Sequence, residues 1–204
     1  MVVYYEYMNY LVVGLGNPGE EYSSTRHNVG RMFVETFQKM ERFPEWEFSK
    51  SAKALYTDGK LGKYKVELIL PETYMNLSGK AVGYAAKKHD VKKEQVIVVH
   101  DDVDLPFGTF KLSFNRGTAG HNGVESVKKT LKSKAFVRVR VGVCPTTPGG
   151  KLRKPQGAEA VVAFLLKSFT PKEREMLKKT GKRVSEALAT CVTEGHERAM
   201  NLYN

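Results

Sequence analysis

GLGNPGEEYSSTRHNVG, residues 14–30, directly follows the apolar run Tyr10-Leu11-Val12-Val13. A short apolar run closed by glycine reads as a buried strand. Past the segment, Val29, Met32, Phe33, Phe37 and Met40 recur at helical spacing and stop before Pro44. The stretch is therefore a strand-to-helix connection, with His27 at the mouth of the helix. Such connections carry chemistry in α/β proteins, because the scaffold holds their ends while the loop is free to vary.

The same two periods continue outward. Residues 52–58 and 64–70 read as strands turning at Asp58-Gly59, and residues 77–88 as a helix. Residues 95–99 form a short apolar strand ending at His100. Phe110, Leu112 and Phe114 alternate with Lys111 and Ser113, so one face of that strand is apolar. Val124, Val127 and Leu131 mark a helix after the loop GTAGHNG, and residues 136–143 a strand with Arg138 and Arg140 on one face. Thr170, Pro171 and Glu173 spell a capping box before a helix whose stripe is Leu177, Val184, Leu188 and Cys191. Strands and helices alternate, which predicts a single-domain α/β fold over residues 1–204. Its sheet is expected to be mixed, mostly parallel and twisted, with helices on both faces. Residues 1–7 read as an optional N-terminal extension, and the Pro-, Gly- and Lys/Arg-rich residues 144–157 as a mobile basic loop.

With 204 residues, 41% hydrophobic and 27% charged, the composition is that of a soluble globular protein. No apolar run approaches the ~20 residues that span a bilayer, so no membrane partner is expected. The N-terminus lacks a basic start and a small-residue cleavage site, so it is no signal peptide. Cys144 and Cys191 sit in unrelated contexts without metal or disulfide spacing, which fits a reducing cytoplasm. Basic residues outnumber acidic ones 33 to 22, giving +11. Lys128, Lys129, Lys132, Lys134, Arg138 and Arg140 cluster, followed by Lys151, Arg153 and Lys154. Such clusters mark either a polyanion partner or a solvated basic face.

Gly14, Gly16 and Gly19 match GxGxxG, the dinucleotide fingerprint. That motif needs a helix starting at the second glycine with free N–H groups aimed at a pyrophosphate. Here Pro18 removes an N–H, Glu20 and Glu21 put negative charge in the phosphate's place, and the helical period starts only near Asn28. A bound dinucleotide is not expected. His27 is the better candidate, because an imidazole moves protons near neutral pH and Asp101, at another strand end, can orient it. Without an orienting acid, a lone histidine is commonly a cap or surface residue. No serine or cysteine sits in an elbow such as GxSxG, so a catalytic His27 would act on water. His100, Asp101, Asp102 and Asp104 lack EF-hand spacing, and strand alternation parts Asp101 from its neighbours, so no metal is expected. Asn17, Asn76 and Asn122 are each ordinary turn residues, but three in Gly-bounded segments suggest a site that reads amides. Tyr22, Tyr74 and Met75 offer stacking and apolar contact. GTAGHNG is either an anion-binding helix start or a plain turn.

GLGNPGEEYSSTRHNVG, YMNLSGKAV, HDDVDLPFG, GHNG and RVRVGV occur in this order. The ordered set resembles the bacterial-type peptidyl-tRNA hydrolases across nearly the whole chain. The resemblance implies a monomeric, cofactor-free and metal-free cytoplasmic enzyme that hydrolyses the ester between a peptide and the 3′ end of tRNA. It implies that His27 activates water, that Asp101 holds His27 in its basic form, and that Asn17 tells a blocked peptidyl group from a free aminoacyl one. It further implies that Tyr22, Tyr74, Asn76 and Asn122 bind substrate, that Met75 lines the peptide site, and that Lys111 and Arg140 grip the tRNA 5′ phosphate. Three positions depart from the pattern. Ala119-Gly120 supplies one glycine where two are usual, Arg116 replaces a glycine, and Ser113 stands where some members are basic. The rival reading is a catalytically silent RNA-binding protein on the same scaffold. Retention of His27, Asp101 and all three asparagines argues against it.

Overall fold

The structure of the chain, a computed structural model, describes residues 9–204, so the expected extension at residues 1–7 lies outside it. The strands are β1 (Asn9–Gly14), β2 (Glu47–Ser49), β3 (Ala54–Leu61), β4 (Tyr64–Pro71), β5 (Val96–Pro106), β6 (Phe110–Phe114) and β7 (Val137–Cys144). The helices are α1 (Val29–Met40), α2 (Ser78–Lys88), α3 (Asn122–Leu131), α4 (Ala158–Leu165), α5 (Pro171–Thr193) and α6 (His196–Tyr203). One sheet takes the order β2-β3-β4-β1-β5-β7-β6. The four central strands β4, β1, β5 and β7 pair in parallel. The marginal pairs β2–β3, β3–β4 and β6–β7 are antiparallel. The expected mixed sheet is present, and its parallel character belongs to the centre. The turn between β3 and β4 is too short for a parallel return.

Leu11, Val12 and Val13 are fully buried, because helices cover both faces of β1. On one face Phe33 and Phe37 of α1 pack with Leu177, Val184 and Leu188 of α5. On the other, Ala81, Val82 and Ala85 of α2 pack with Val124 and Val127 of α3. Odd and even residues of β5 divide between these cores, Ile97 and Val99 against Val96 and Val98. Among the described residues, no helix is long and apolar enough to cross a membrane.

Two sequence expectations need correction. The β3–β4 turn lies at Gly62-Lys63, closed by the pair Leu61–Tyr64, with Gly62 at φ 57°. Asp58 and Gly59 sit inside β3 opposite Glu67 and Val66. Gly59 is small for another reason: a Cβ there would lie 2.8 Å from the Phe43 ring. Strand β5 also runs past His100 to Pro106, because β7 pairs with its polar half through Asp102. Helices α4 and α6 and strand β2 add to the elements expected from the sequence. The capping box of α5 is present, with Glu173 N–H donating to Thr170 Oγ1 at 3.2 Å and Thr170 N–H to Glu173 Oε2 at 2.7 Å. Within the basic loop, Thr147 N–H donates to Lys151 O and Arg153 N–H to Pro145 O, both at 2.8 Å.

The start of α1 is pressed onto the sheet. A Cβ on Gly30 would meet the Val99 carbonyl oxygen at 2.2 Å. That approach sets how closely His27, three residues earlier, stands to β5. Gly30→Ala is expected to lower unfolding free energy by about 3 kcal/mol through overpacking, measured as a reduced urea midpoint at constant m-value.

Candidate active site

Three segments converge where β5 ends: residues 15–28, the polar end of β5, and residues 115–122 ahead of α3. His27 belongs to a 3-10 turn, Arg26–Asn28, between the glycine loop and α1. Its neighbour Arg26 anchors that turn. The Arg26 guanidinium donates to the carbonyls of Lys167 and Ser168 at 3.0 and 2.9 Å and to Glu173 at 2.8 Å. It also lies over the rings of Phe164 and Phe169.

His27 Nδ1 lies 2.8 Å from Asp101 Oδ1, although 74 residues separate them. Asp101 is 2% exposed, on the odd face of β5 that α1 covers. The same oxygen lies 3.0 Å from His121 Nε2. His121 Nδ1 accepts the N–H groups of Gly123 and Val124 at 3.1 and 3.3 Å, capping α3. A nitrogen that accepts two N–H groups carries no proton, so His121 Nε2–H must donate to Asp101. Asp101, as a carboxylate, also takes the Nδ1–H of His27. This leaves the lone pair of neutral His27 on Nε2.

The electrostatics agree with this assignment. Burial pushes the Asp101 carboxyl up, but the two imidazoles outweigh it and hold it far below the usual carboxylate range. Burial lowers His27, while the charge and hydrogen bond of Asp101 outweigh it and leave the imidazole above its ordinary value. His100 is different. It is fully enclosed, burial and His121 hold it well below the ordinary histidine value, and its Nδ1–H donates to the Asp101 carbonyl at 2.7 Å. Its ring packs edge-on against His121 at 4.7 Å.

A cavity of about 510 Å³ opens beside His27, lined on its polar side by Asn17, Asp101, His121 and Asn122. Its apolar wall is α4, through Val161, Val162 and Leu165. Asn17, 8% exposed, is held by both ends of its neighbour's carboxamide. Asn17 N–H donates to Asn28 Oδ1, and Asn28 Nδ2 donates to Asn17 O, each at 2.9 Å. Asn17 Oδ1 accepts the Met75 N–H at 2.9 Å. Met75 meets the site through its main chain. Its side chain is buried in the second core, against Gly123. Tyr74 and Asn76 are exposed around it, and Tyr22 is half-buried in the glycine loop. These three stand on the two loops joined by Asn17 and Met75, outside the cavity lining. Lys111 and Arg140 are cross-strand partners on β6 and β7. Arg140 Nε donates to Asp102 Oδ2 at 2.7 Å, and Lys154 Nζ donates to Asp104 at 2.5 Å. Two partners were missed in the sequence. His121 was signalled only by its place before α3, and Asn28 by nothing beyond adjacency to His27.

The donor sets do not suit a cation. Asp102 and Asp104 are taken by Arg140 and Lys154, and Asp101 faces away from both. His27, Asp101 and His121 bring ligand-type atoms within 4.8 Å. Yet His121 can offer Nε2 to a metal only by moving its proton to Nδ1, where two backbone N–H groups already point. The glycine loop is no dinucleotide site either, because two 3-10 turns separate Gly16 from the first residue of α1.

Comparison with known proteins leads to the same place. A family model described as peptidyl-tRNA hydrolase matches residues 11–204. The chain is 38% identical over 195 residues to a peptidyl-tRNA hydrolase of Dehalococcoides mccartyi strain BAV1, covering 95% of this chain and 98% of that protein. It is 37% identical over 195 residues to one from Clostridium botulinum strain Hall, covering 96% of each. The crystal structure of peptidyl-tRNA hydrolase from Acinetobacter baumannii superposes with a TM-score of 0.84 at 29% identity, over 96% of this chain and 94% of that one. A histidine–carboxylate pair beside a carboxamide-lined cavity, on a fold shared from end to end with these enzymes, places the chain in the peptidyl-tRNA hydrolase family.

Proposed function

We propose that the chain hydrolyses the ester between a peptide and the 3′ end of tRNA with His27 as general base. The observation that carries this reading is the 2.8 Å approach of His27 Nδ1 to the buried Asp101 carboxylate: an acceptor-only group there takes the Nδ1–H, which leaves Nε2 as the basic nitrogen of a histidine that lines the cavity. A water gives its proton to Nε2 as its oxygen attacks the ester carbonyl. The tetrahedral intermediate then expels the ribose oxygen, which takes the proton back from the imidazolium. Asp101 stabilises that imidazolium without accepting its proton.

Asn17 adds the choice of substrate. Its Oδ1 is engaged by the Met75 N–H, so Nδ2, a donor, is the group left for the substrate. A blocked peptidyl group brings a carbonyl that accepts. A free aminoacyl group brings an amine of pKa about 8 that is mostly an ammonium at pH 7 and has no acceptor. Donor against donor leaves both unpaired, and such mismatches discriminate by orders of magnitude. Tyr22, Tyr74, Asn76 and Asn122 extend the contact along the substrate, with Met75 backing the peptide side. The test is ester release from N-acetyl-aminoacyl-tRNA and from the same aminoacyl-tRNA. The first is expected to be cleaved and the second spared. Binding without release would favour a silent RNA-binding protein, and equal cleavage would remove Asn17 from the mechanism.

Lys111 and Arg140 grip the 5′ phosphate, Arg140 through the terminal nitrogens that its Nε contact with Asp102 leaves over. Phosphate contacts give affinity without sequence preference, which suits an enzyme facing many tRNAs. Lys111→Ala is expected to weaken tRNA binding uniformly and to lower the log–log salt slope by about 1, with kcat unaltered. Lys111 is the cleaner probe, because Arg140→Ala would also strand the buried Asp102 carboxylate. The basic loop 144–157 moves as substrate enters, since its tie to the site rim, Lys154–Asp104, is an exposed ion pair and therefore weak. The enzyme works as a single-domain monomer in the cytoplasm, without metal or cofactor. Both cysteines are free and buried, which suits that compartment.

A further inference from the structure

The carboxamide of Asn28 closes a two-point bond with the main chain of Asn17, and nothing in the hydrolytic chemistry uses it. Asn28 is 1% exposed. Its Oδ1 accepts Asn17 N–H and its Nδ2 donates to Asn17 O, each at 2.9 Å. A single side chain thus satisfies both backbone groups of one residue, as a neighbouring strand would. The chain at Gly16 lies flat against the same group, since a Cβ there would meet Asn28 Cγ at 2.9 Å. With Met75 N–H on Asn17 Oδ1, three of the bonding groups of Asn17 are held and only Nδ2 is left over.

We infer that Asn28 is a positioning residue for substrate selection: it sets where Asn17 Nδ2 stands relative to His27 Nε2. The geometry explains why the clamp comes from residue 28. Asn28 follows His27 in the same 3-10 turn, so the base and the holder of the selecting amide share one rigid frame. The intervening residues 18–25 include exposed turns, and their movement would otherwise pass straight into the distance between the two groups. This inference rests on the selecting role of Asn17 and adds a residue that does not touch substrate.

The experiment compares Asn28→Asp, Asn17→Ala and the double variant. Each is assayed for kcat/KM on N-acetyl-aminoacyl-tRNA and on aminoacyl-tRNA, and for the pH at which the ascending limb reaches half its plateau. Asn28→Asp keeps the shape and the acceptor but sets an oxygen against the Asn17 carbonyl. It is expected to reduce the ratio of the two activities at least tenfold, with the pH midpoint of His27 within a few tenths of a unit. The double variant is expected to show no further loss beyond Asn17→Ala, because both changes remove one function. An intact ratio in folded Asn28→Asp, or a double variant whose losses multiply, would overturn the inference. An intact ratio in Asn17→Ala would instead overturn the selecting role itself, so the two failures are distinguishable. If a thermal melt shows Asn28→Asp unfolded, Asn28→Ser carries the same expectation without a buried charge, and an intact ratio there is equally fatal.

Discussion

His27→Ala is expected to lower kcat on N-acetyl-aminoacyl-tRNA by about 10³-fold while leaving the Kd for tRNA unchanged. General-base catalysis is worth roughly 10²–10⁴ in rate, and among the described residues no other histidine lining the cavity has its Nδ1 on a carboxylate. His121 is bound on both nitrogens. His100 donates its Nδ1–H to a backbone carbonyl and is fully enclosed. In the proposed function the affinity for tRNA resides in phosphate contacts at Lys111 and Arg140, cross-strand partners on β6 and β7, which the change does not touch. Stopped turnover with intact binding, measured by single-turnover release and filter binding, is the signature. Parallel loss of both would mean that His27 serves the binding surface instead.

Asp101→Asn should cost more than its small change in size suggests, on the order of 10⁴-fold in kcat. Both histidines meet the same Asp101 oxygen, so an asparagine that sets Nδ2 there gives an N–H to His27 Nδ1, moves the imidazole proton to Nε2 and strands His121 Nε2–H, whereas one that sets Oδ1 there keeps both bonds but loses the charge that stabilises the imidazolium. The pH profile should move as well, and its sign follows from the pKa shifts. The reaction needs neutral His27, so the rate rises with pH through the histidine pKa. In the native protein burial lowers that pKa, but the Asp101 charge and hydrogen bond more than offset it, so the half-point lies above the ordinary value of 6.5. Removing the charge leaves burial alone, and the residual activity should rise at lower pH than in the native enzyme. A variant whose limb moves to higher pH would mean that Asp101 does not act on His27 through its charge.

Most of the fold is legible along the chain because its signals are local. The run Leu11-Val12-Val13 announces a strand covered on both faces, the stripe from Val29 to Phe37 announces the helix that follows, and Thr170 with Glu173 marks where α5 starts. Legibility fails where a neighbour distant in sequence decides. Asp58-Gly59 has the composition of a turn, but Phe43 requires the missing side chain, and the chain reverses three residues later. Arg26 has the composition of a surface residue, yet it is 8% exposed because the 167–173 segment surrounds it with carbonyls and a carboxylate. Strand β5 outlives its apolar run because β7 keeps pairing with it beyond Val99.

Residue chemistry and periodicity alone identified His27 as the base to consider, Asp101 as its companion, three asparagines that suggest amide recognition, and basic clusters that suit either a polyanion or solvent. Those are properties of single side chains and of spacings within one element. Only the tertiary structure decided that one Asp101 oxygen serves two histidines, which imidazole nitrogen stays free, and that Asn17 presents a donor rather than an acceptor. Each of these depends on a hydrogen bond between residues 20 to 74 positions apart. Such partners meet because β1 lies between β4 and β5 in the sheet, an adjacency set by packing the whole chain at once.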